Sequence, residues 1–175
     1  MTEATQTDPA AETCDFEAMS RITEDHEKFN AFEGTFKAEV KMWMGPGDPM
    51  VSTGTMVNTL ELGGKFLAQH YTGDPSDGPF PEFAGRGFWG YNTATNKYEG
   101  VWIDSASTIM QTDMGERDGN VWTMKGEMPG QGGGTITKTS IITLIDDDHH
   151  SMEMYFPGPD GNECKGMEIQ YTRAT

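Results

Sequence analysis

From Gly34 onward the chain is a succession of short segments in which apolar and polar residues alternate. In the first segment Phe36, Ala38 and Val40 share one phase, and lysine and glutamate residues take the other. Successive side chains of a β-strand point to opposite faces of the sheet, so this alternation predicts a strand with one buried face. Turn-forming sequences such as GPGDP, GG and DDD separate the segments.

The predicted strands follow one another with hairpin-length connections, which indicates about ten strands in an all-β antiparallel meander. Both a sandwich and a closed up-and-down barrel fit this rhythm. We favour the barrel, because an open sheet of this size would leave two unpaired edge strands. The predicted strands are Phe36–Met44, Ser52–Leu62, Lys65–Thr72, two within Phe83–Ser107, Thr108–Met114, Val121–Met128, Thr135–Ile145, Ser151–Phe156 and Lys165–Thr172.

A single short helix is predicted before the strands, over Thr23–Ala31. His26, Phe29 and Phe32 recur at helical spacing, and Thr23 can cap the helix with His26 at the third position. We expect the apolar side of this helix to plug one end of the barrel. Residues 1–15 are polar and small, so we expect a disordered acidic tail followed by one domain over 16–175.

The stretch Phe83–Ser107 is predicted to be the central hairpin of the sheet. One face combines glycines with large aromatic residues, which is typical of a tightly curved and closely packed sheet. On that face the first strand carries Gly85, Gly87, Trp89 and Tyr91, and the second carries Tyr98, Gly100, Trp102 and Asp104.

Net charge restricts the function classes. The chain has 12 lysine and arginine residues against 28 aspartates and glutamates, a formal net charge of -16. Such a surface repels nucleic-acid phosphates and anionic lipids, so we expect neither nucleic acid nor membrane as a partner. The first residues lack a basic segment and an apolar core, so no secretory signal is predicted and a cytoplasmic location is expected. Cys14 and Cys164 are expected to be free thiols, and no zinc-binding spacing occurs.

Several stretches together resemble one bacterial family, domain of unknown function 1579 (DUF1579). They are FEGTF, LELGGKFLAQHYTGD, RGFWGYNTATNKYEGVWIDSAS and MEIQYTR, within His26–Arg173. The resemblance implies a calycin-like, lipocalin-style β-barrel. It implies no activity and no catalytic residues.

Motifs for common chemistries are missing or incomplete. GRGFWG has the glycine spacing of a nucleotide loop, but no predicted helix follows it. Some calycin-like barrels hold haem through one histidine, and His70 or His150 would be the candidates here, although no haem-attachment pattern is present. Asp146–Asp148 could form a weak cation site, but a solvated turn is the simpler interpretation.

The remaining hypothesis is that a small, largely apolar molecule binds inside the barrel. Methionines recur in the predicted strands, and methionine is an adaptable lining for apolar ligands. Two alternatives stay open: an enzyme that uses Asp104, His70 and Arg86, and a filled structural or oligomerising barrel without a ligand. An interior Arg86 could pair with Glu153 or Glu168. The candidate ligand-binding residues are His70, Arg86, Trp89, Tyr91, Trp102, Asp104, Met110 and Met154.

Overall fold

The computed structural model describes residues 15–130, 133–158 and 160–175, and these form a closed antiparallel barrel of ten strands. Each strand pairs with the next along the chain, and the first pairs with the last. The predicted up-and-down barrel is therefore confirmed. The strands are β1 (Gly34–Met42), β2 (Met50–Glu61), β3 (Phe66–Gly73), β4 (Ala84–Asn92), β5 (Lys97–Asp104), β6 (Gln111–Asp118), β7 (Val121–Pro129), β8 (Thr135–Leu144), β9 (His149–Pro157) and β10 (Glu163–Arg173).

Closure is made by seven residue pairs between β1 and β10, from Phe36 opposite Arg173 to Met42 opposite Met167. No strand of the barrel is left as an edge, because every strand has a hydrogen-bonded neighbour on both sides. Alternate residues of β1 are buried, as its pattern predicts: Phe36, Ala38 and Val40 point inward.

Helical segments lie before β1: α1 (Phe16–Ser20), α2 (Glu24–Glu27) and a 3₁₀-helix (Lys28–Phe32). Thr23 precedes α2, and its backbone N–H donates to His26 Nδ1 at 3.1 Å, so the predicted start is correct. The rest of the predicted helix is tighter than expected. Residues three apart are eclipsed in a 3₁₀-helix, so this form points both Phe29 and Phe32 into the barrel.

These two phenylalanines form the plug of one barrel end. Phe29 is fully buried and Phe32 is 2% exposed. The Phe32 ring centroid lies 5.5 Å from that of Trp89 and 5.2 Å from that of Trp122. The other buried members of this cluster are Leu67, Tyr98, Met124 and Ile142.

A polar network fastens the plug to the barrel. Tyr98 Oη donates to Asp25 Oδ1 at 2.8 Å, and Arg117 Nη2 donates to the same oxygen at 3.0 Å. Burial alone would raise the pKa of Asp25, but the hydrogen bonds from Tyr98 and Arg117 and the arginine charge outweigh it. The pKa of Asp25 is therefore lowered. On the opposite side, Arg173 donates to the carbonyls of Ala31 and Glu33.

The central hairpin has the predicted faces. Gly85 pairs with Asp104 and Gly87 pairs with Trp102, so the residues of the glycine and aromatic set share the inner face. The Trp102 ring lies across both glycines, and a Cβ added at either position would overlap it. The indole can lie flat against the barrel wall because these positions carry no side chain.

Some predicted details differ from the structure. Met44 and Met110 lie outside the strands, because β1 ends at Met42 and β6 begins only at Gln111. Of the predicted tail, residues 1–15, all but Asp15 lie outside the described residues, and so does Cys14. Cys164 is an exposed free thiol. Within the described ranges, no helix is long and apolar enough to cross a bilayer.

Candidate functional site

The barrel encloses a cavity of about 540 Å³. Its closed end is the plug, where Phe32 and His150 contribute to the lining. At the other end the lining includes Met44, Phe80 and Phe156, and this end is the mouth. The volume lies within the range of about 300–1,000 Å³ that is usual for small-molecule sites.

A second depression of about 620 Å³ lies beside the outer faces of β3 to β6 and α1. Phe66, Phe88 and Met114 are among its lining residues, and all three are well exposed. Its walls come from one side of the sheet, whereas strands all round the barrel surround the inner cavity. The inner cavity is therefore the candidate site.

One wall of the cavity is a continuous row of methionines across four strands. Met42 on β1 is the register partner of both Met50 on β2 and Met167 on β10, and Met167 pairs with Met154 on β9. Directly paired residues have Cβ atoms about 4.5–5.5 Å apart, so neighbouring methionines of the row lie within contact distance of each other. All four line the cavity.

The facing wall, formed by β5, β6 and β8, is polar. Trp102 Nε1 and Gln111 Nε2 donate to Asp104 Oδ2 at 3.1 and 3.2 Å. Lys138 Nζ lies 3.4 Å from Gln111 Oε1 and 3.6 Å from Asp113 Oδ2. These five side chains, which we call the polar wall, all line the cavity.

Burial dominates the electrostatics of this wall. Removal of Asp113 from water raises its pKa, and the nearby Lys138 ammonium only partly offsets the rise. The Lys138 side chain is itself 7% exposed. A carboxylate and an ammonium group are thus held in a mostly apolar space, where unbalanced charge is costly.

His150 lies at the plug end of the cavity. Its ring stacks on Tyr171 at a centroid distance of 4.3 Å, and the edges of Phe32 and Phe36 meet it at 5.1 and 4.6 Å. Burial, followed by the charge of Arg173, lowers the pKa of His150 to about 3. Its Nδ1 atom has no partner among the described residues. The ring is therefore neutral at physiological pH.

Four of the candidate ligand-binding residues line the cavity: Trp89, Trp102, Asp104 and Met154. Trp89 is 7% exposed and belongs to the plug cluster, whereas Trp102 lies toward the mouth. Their positions bring them together around one space, and their binding role stays a prediction.

The other four candidates do not line the cavity. His70 and Arg86 are register partners on the outer face, because Leu67 and Tyr71 take the inward positions of β3. The expectation that His70 lies in the barrel interior is therefore wrong. Tyr91 lies at the plug end, in edge contact with His26, and Met110 is 70% exposed before β6.

The polar set of the enzyme hypothesis is therefore divided by the barrel wall. Asp104 lines the cavity, while Arg86 is outside and donates to the backbone carbonyls of Tyr71 and Gly85. Arg86 has no contact with either of the glutamates proposed for it. Those two glutamates instead pair with Lys165.

The acidic turn that begins at Asp146 forms hydrogen bonds within itself. Asp146 Oδ1 accepts from the Asp148 backbone N–H at 2.9 Å and contacts His149 Nδ1 at 2.8 Å. No group of three or more potential metal-binding side chains is found within the described part of the chain. The turn is stabilised by its own hydrogen bonds.

The sequence reasoning missed Gln111, Asp113 and Lys138. Lys138 could have been found, because it alternates in phase with the apolar residues Ile136 and Ile142 of β8. β6 offers no such signal, since its large apolar residue, Met114, points outward.

The model of the family described as "Protein of unknown function (DUF1579)" matches residues 21–173. The chain belongs to this family. The DUF1579 barrel is also similar to a solved structure titled "Crystal Structure of Rv2717c from M. tuberculosis", with a TM-score of 0.61 and 12% sequence identity. The match covers 89% of this chain and 100% of that chain. At this identity the likeness concerns the fold alone. No curated protein matches the chain.

Proposed function

We propose that this DUF1579 barrel binds a small, largely apolar molecule in its interior. The observation that carries the proposal is the cavity of about 540 Å³, which is closed by the plug at one end and reached from the mouth at the other. A barrel of eight to ten strands is about the size at which the interior can hold one small ligand.

The methionine row supports an apolar and adaptable ligand site. Thioether side chains are flexible and polarisable, so such a wall can fit ligands of different shapes. Two indoles, Trp89 and Trp102, add flat apolar surface on another side of the same space. A filled structural barrel would need neither the open volume nor the mouth.

A neutral fluorescent probe, N-phenyl-1-naphthylamine, tests the proposal. Its emission should rise when it enters the cavity, and the emission of Trp89 and Trp102 should be quenched at the same time. The matched variants are Val40→Phe and Val57→Phe. Val40 lines the cavity and is 8% exposed, whereas Val57 lies on the outer face and is 40% exposed.

Val40→Phe should weaken probe binding by about tenfold, because the added ring atoms occupy cavity space. Val57→Phe should bind as the wild type does. If the probe fails to bind the wild type, or if both variants bind it equally well, the interior is not the binding site.

A further inference from the structure

The polar wall is built around one buried carboxylate. Asp113 on β6 has a glycine on each neighbouring strand: Gly100 is its register partner on β5, and Gly126 lies beside it on β7. A Cβ at Gly100 would overlap Asp113 Oδ1, and a Cβ at Gly126 would lie 3.1 Å from Asp113 Cβ. Because these two positions carry no side chain, the Asp113 carboxylate has room to lie against the barrel wall.

The same arrangement places Lys138 next to Asp113. Gly126 is the register partner of Lys138, so no side chain separates the ammonium group of β8 from the carboxylate of β6. The resulting contacts are long, at 3.6 Å to Asp113 and 3.4 Å to Gln111. Lys138 therefore neutralises Asp113 only in part, in agreement with the raised pKa of Asp113.

The charge balance of the whole lining is negative. Among the described residues that line the cavity, Lys138 is the one lysine or arginine. The same lining contains four carboxylates: Asp104 and Asp113 in the polar wall, and Asp74 and Asp77 near the mouth. The net charge of -16 on the whole chain adds to this field.

We infer that the ligand is an amphiphile with an apolar body and a protonated amine at its polar end. The inference rests on the proposed function and specifies the ligand class of the same cavity. The apolar body lies against the methionine row, and the ammonium group donates to the carboxylates of the polar wall. An anionic head group, such as a carboxylate, meets the uncompensated negative charge of this lining, and it is rejected.

Three compounds with the same chain and different heads test this inference: dodecylamine, dodecanol and dodecanoate. Each displaces N-phenyl-1-naphthylamine at pH 7.5, at concentrations below micelle formation. Dodecylamine should bind about tenfold more tightly than dodecanoate, with dodecanol between them, because one favourable and one unfavourable charge contact separate the two ions.

Asp113→Asn should reduce the preference for dodecylamine over dodecanoate several-fold. It leaves Lys138 without its partner carboxylate, so dodecanoate should gain affinity and dodecylamine should lose it. Asp118→Asn is the matched control, since Asp118 is an exposed aspartate on the same strand at the plug end. It changes the net charge equally and should preserve the wild-type affinity ratio of the two ions. Should Asp113→Asn fail to fold, Asp104→Asn should reduce the amine preference by the same reasoning.

The outcomes separate the two proposals. If dodecanol displaces the probe but all three compounds bind equally, or if dodecanoate binds best, the amine inference is overturned and the proposed function stands. If folded Asp113→Asn keeps the wild-type ratio of dodecylamine to dodecanoate affinity, the polar wall does not select the head group and the inference is also overturned. If neither the probe nor any compound binds, both proposals fail.

Discussion

Replacement of His150 by phenylalanine should remove a pH-dependent part of the protein's stability. The His150 side chain is 5% exposed and stacks on Tyr171 at the plug end of the barrel. Because burial lowers its pKa to about 3, the folded protein holds the ring neutral across the physiological range. Phenylalanine keeps an aromatic ring at this position and has no proton to bind.

The direction and size follow from proton linkage. In the unfolded chain the histidine has its ordinary pKa of 6.5, well above the folded value. As the pH falls, the unfolded state therefore takes up a proton first and becomes more favourable. This contribution to stability is complete above pH 6.5 and is lost between that value and the folded pKa. Between pH 7 and pH 5 the loss amounts to about 2 kcal/mol.

Urea unfolding at pH 7 and pH 5 measures this difference. The free energy of unfolding of the wild type should fall by about 2 kcal/mol more than that of His150→Phe. Any packing cost of the larger ring is the same at both pH values and cancels in the comparison. His70→Phe is the matched control, because His70 is an exposed histidine on the outer face of β3. It should keep the wild-type pH dependence. Equal losses in the wild type and His150→Phe would refute a buried neutral His150.

Three further predictions concern the plug and the cavity wall. Phe32→Ala should lower the free energy of unfolding by about 3–5 kcal/mol in urea titrations. The control Phe80→Ala, at the exposed mouth, should lower it by only about 1 kcal/mol. Equal losses in the two variants would contradict a plug that belongs to the core. Asp25→Asn should cost about 1 kcal/mol at pH 7 after allowance for partial exposure. Because the folded pKa of Asp25 is lowered, this stabilisation is present above its ordinary pKa of 3.8 and is lost as the pH falls through the folded value. If Asp25→Asn lowered the free energy of unfolding by the same amount in strong acid, that would count against the Arg117 contact. Oxidation of the methionines by peroxide should weaken binding of the neutral probe, with recovery after methionine sulfoxide reductase, because sulfoxides are polar; undiminished affinity would argue against a thioether wall.

The barrel itself could be predicted because in several of its strands the residue types of the two faces alternate regularly. β1 has apolar residues in one phase and charged residues in the other, and the glycine and tryptophan positions of the central hairpin assign its inner face in the same way. The capped helix start at Thr23 could also be predicted, since the capping residues are local in sequence.

The face of β3 could not be assigned by pattern alone. Phe66 and Ala68 are apolar in one phase, while Leu67 and Tyr71 are apolar in the other. A strand of this kind fits the sheet in either orientation, and a choice of the wrong phase moves every side chain to the other face. His70 was misplaced for this reason, and Arg86 could not then be recognised as its partner outside the barrel.

The polar wall depends on contacts between strands that are far apart in sequence. Lys138 meets Asp113 across an intervening strand, and the contact requires a glycine at position 126 on that strand. No spacing along the chain expresses such a relation. Register between three strands had to be known before the cluster could be seen.

Pairing of the first strand with the last has a consequence for biosynthesis. β1 ends at Met42 and β10 begins at Glu163, so translation at ordinary rates delivers the second partner on the order of ten seconds after the first. During that interval the nascent chain exposes the free side of β1 to any other strand nearby. Crowded polysomes are therefore where this protein is most exposed to intermolecular strand exchange, and release of the completed chain ends that exposure.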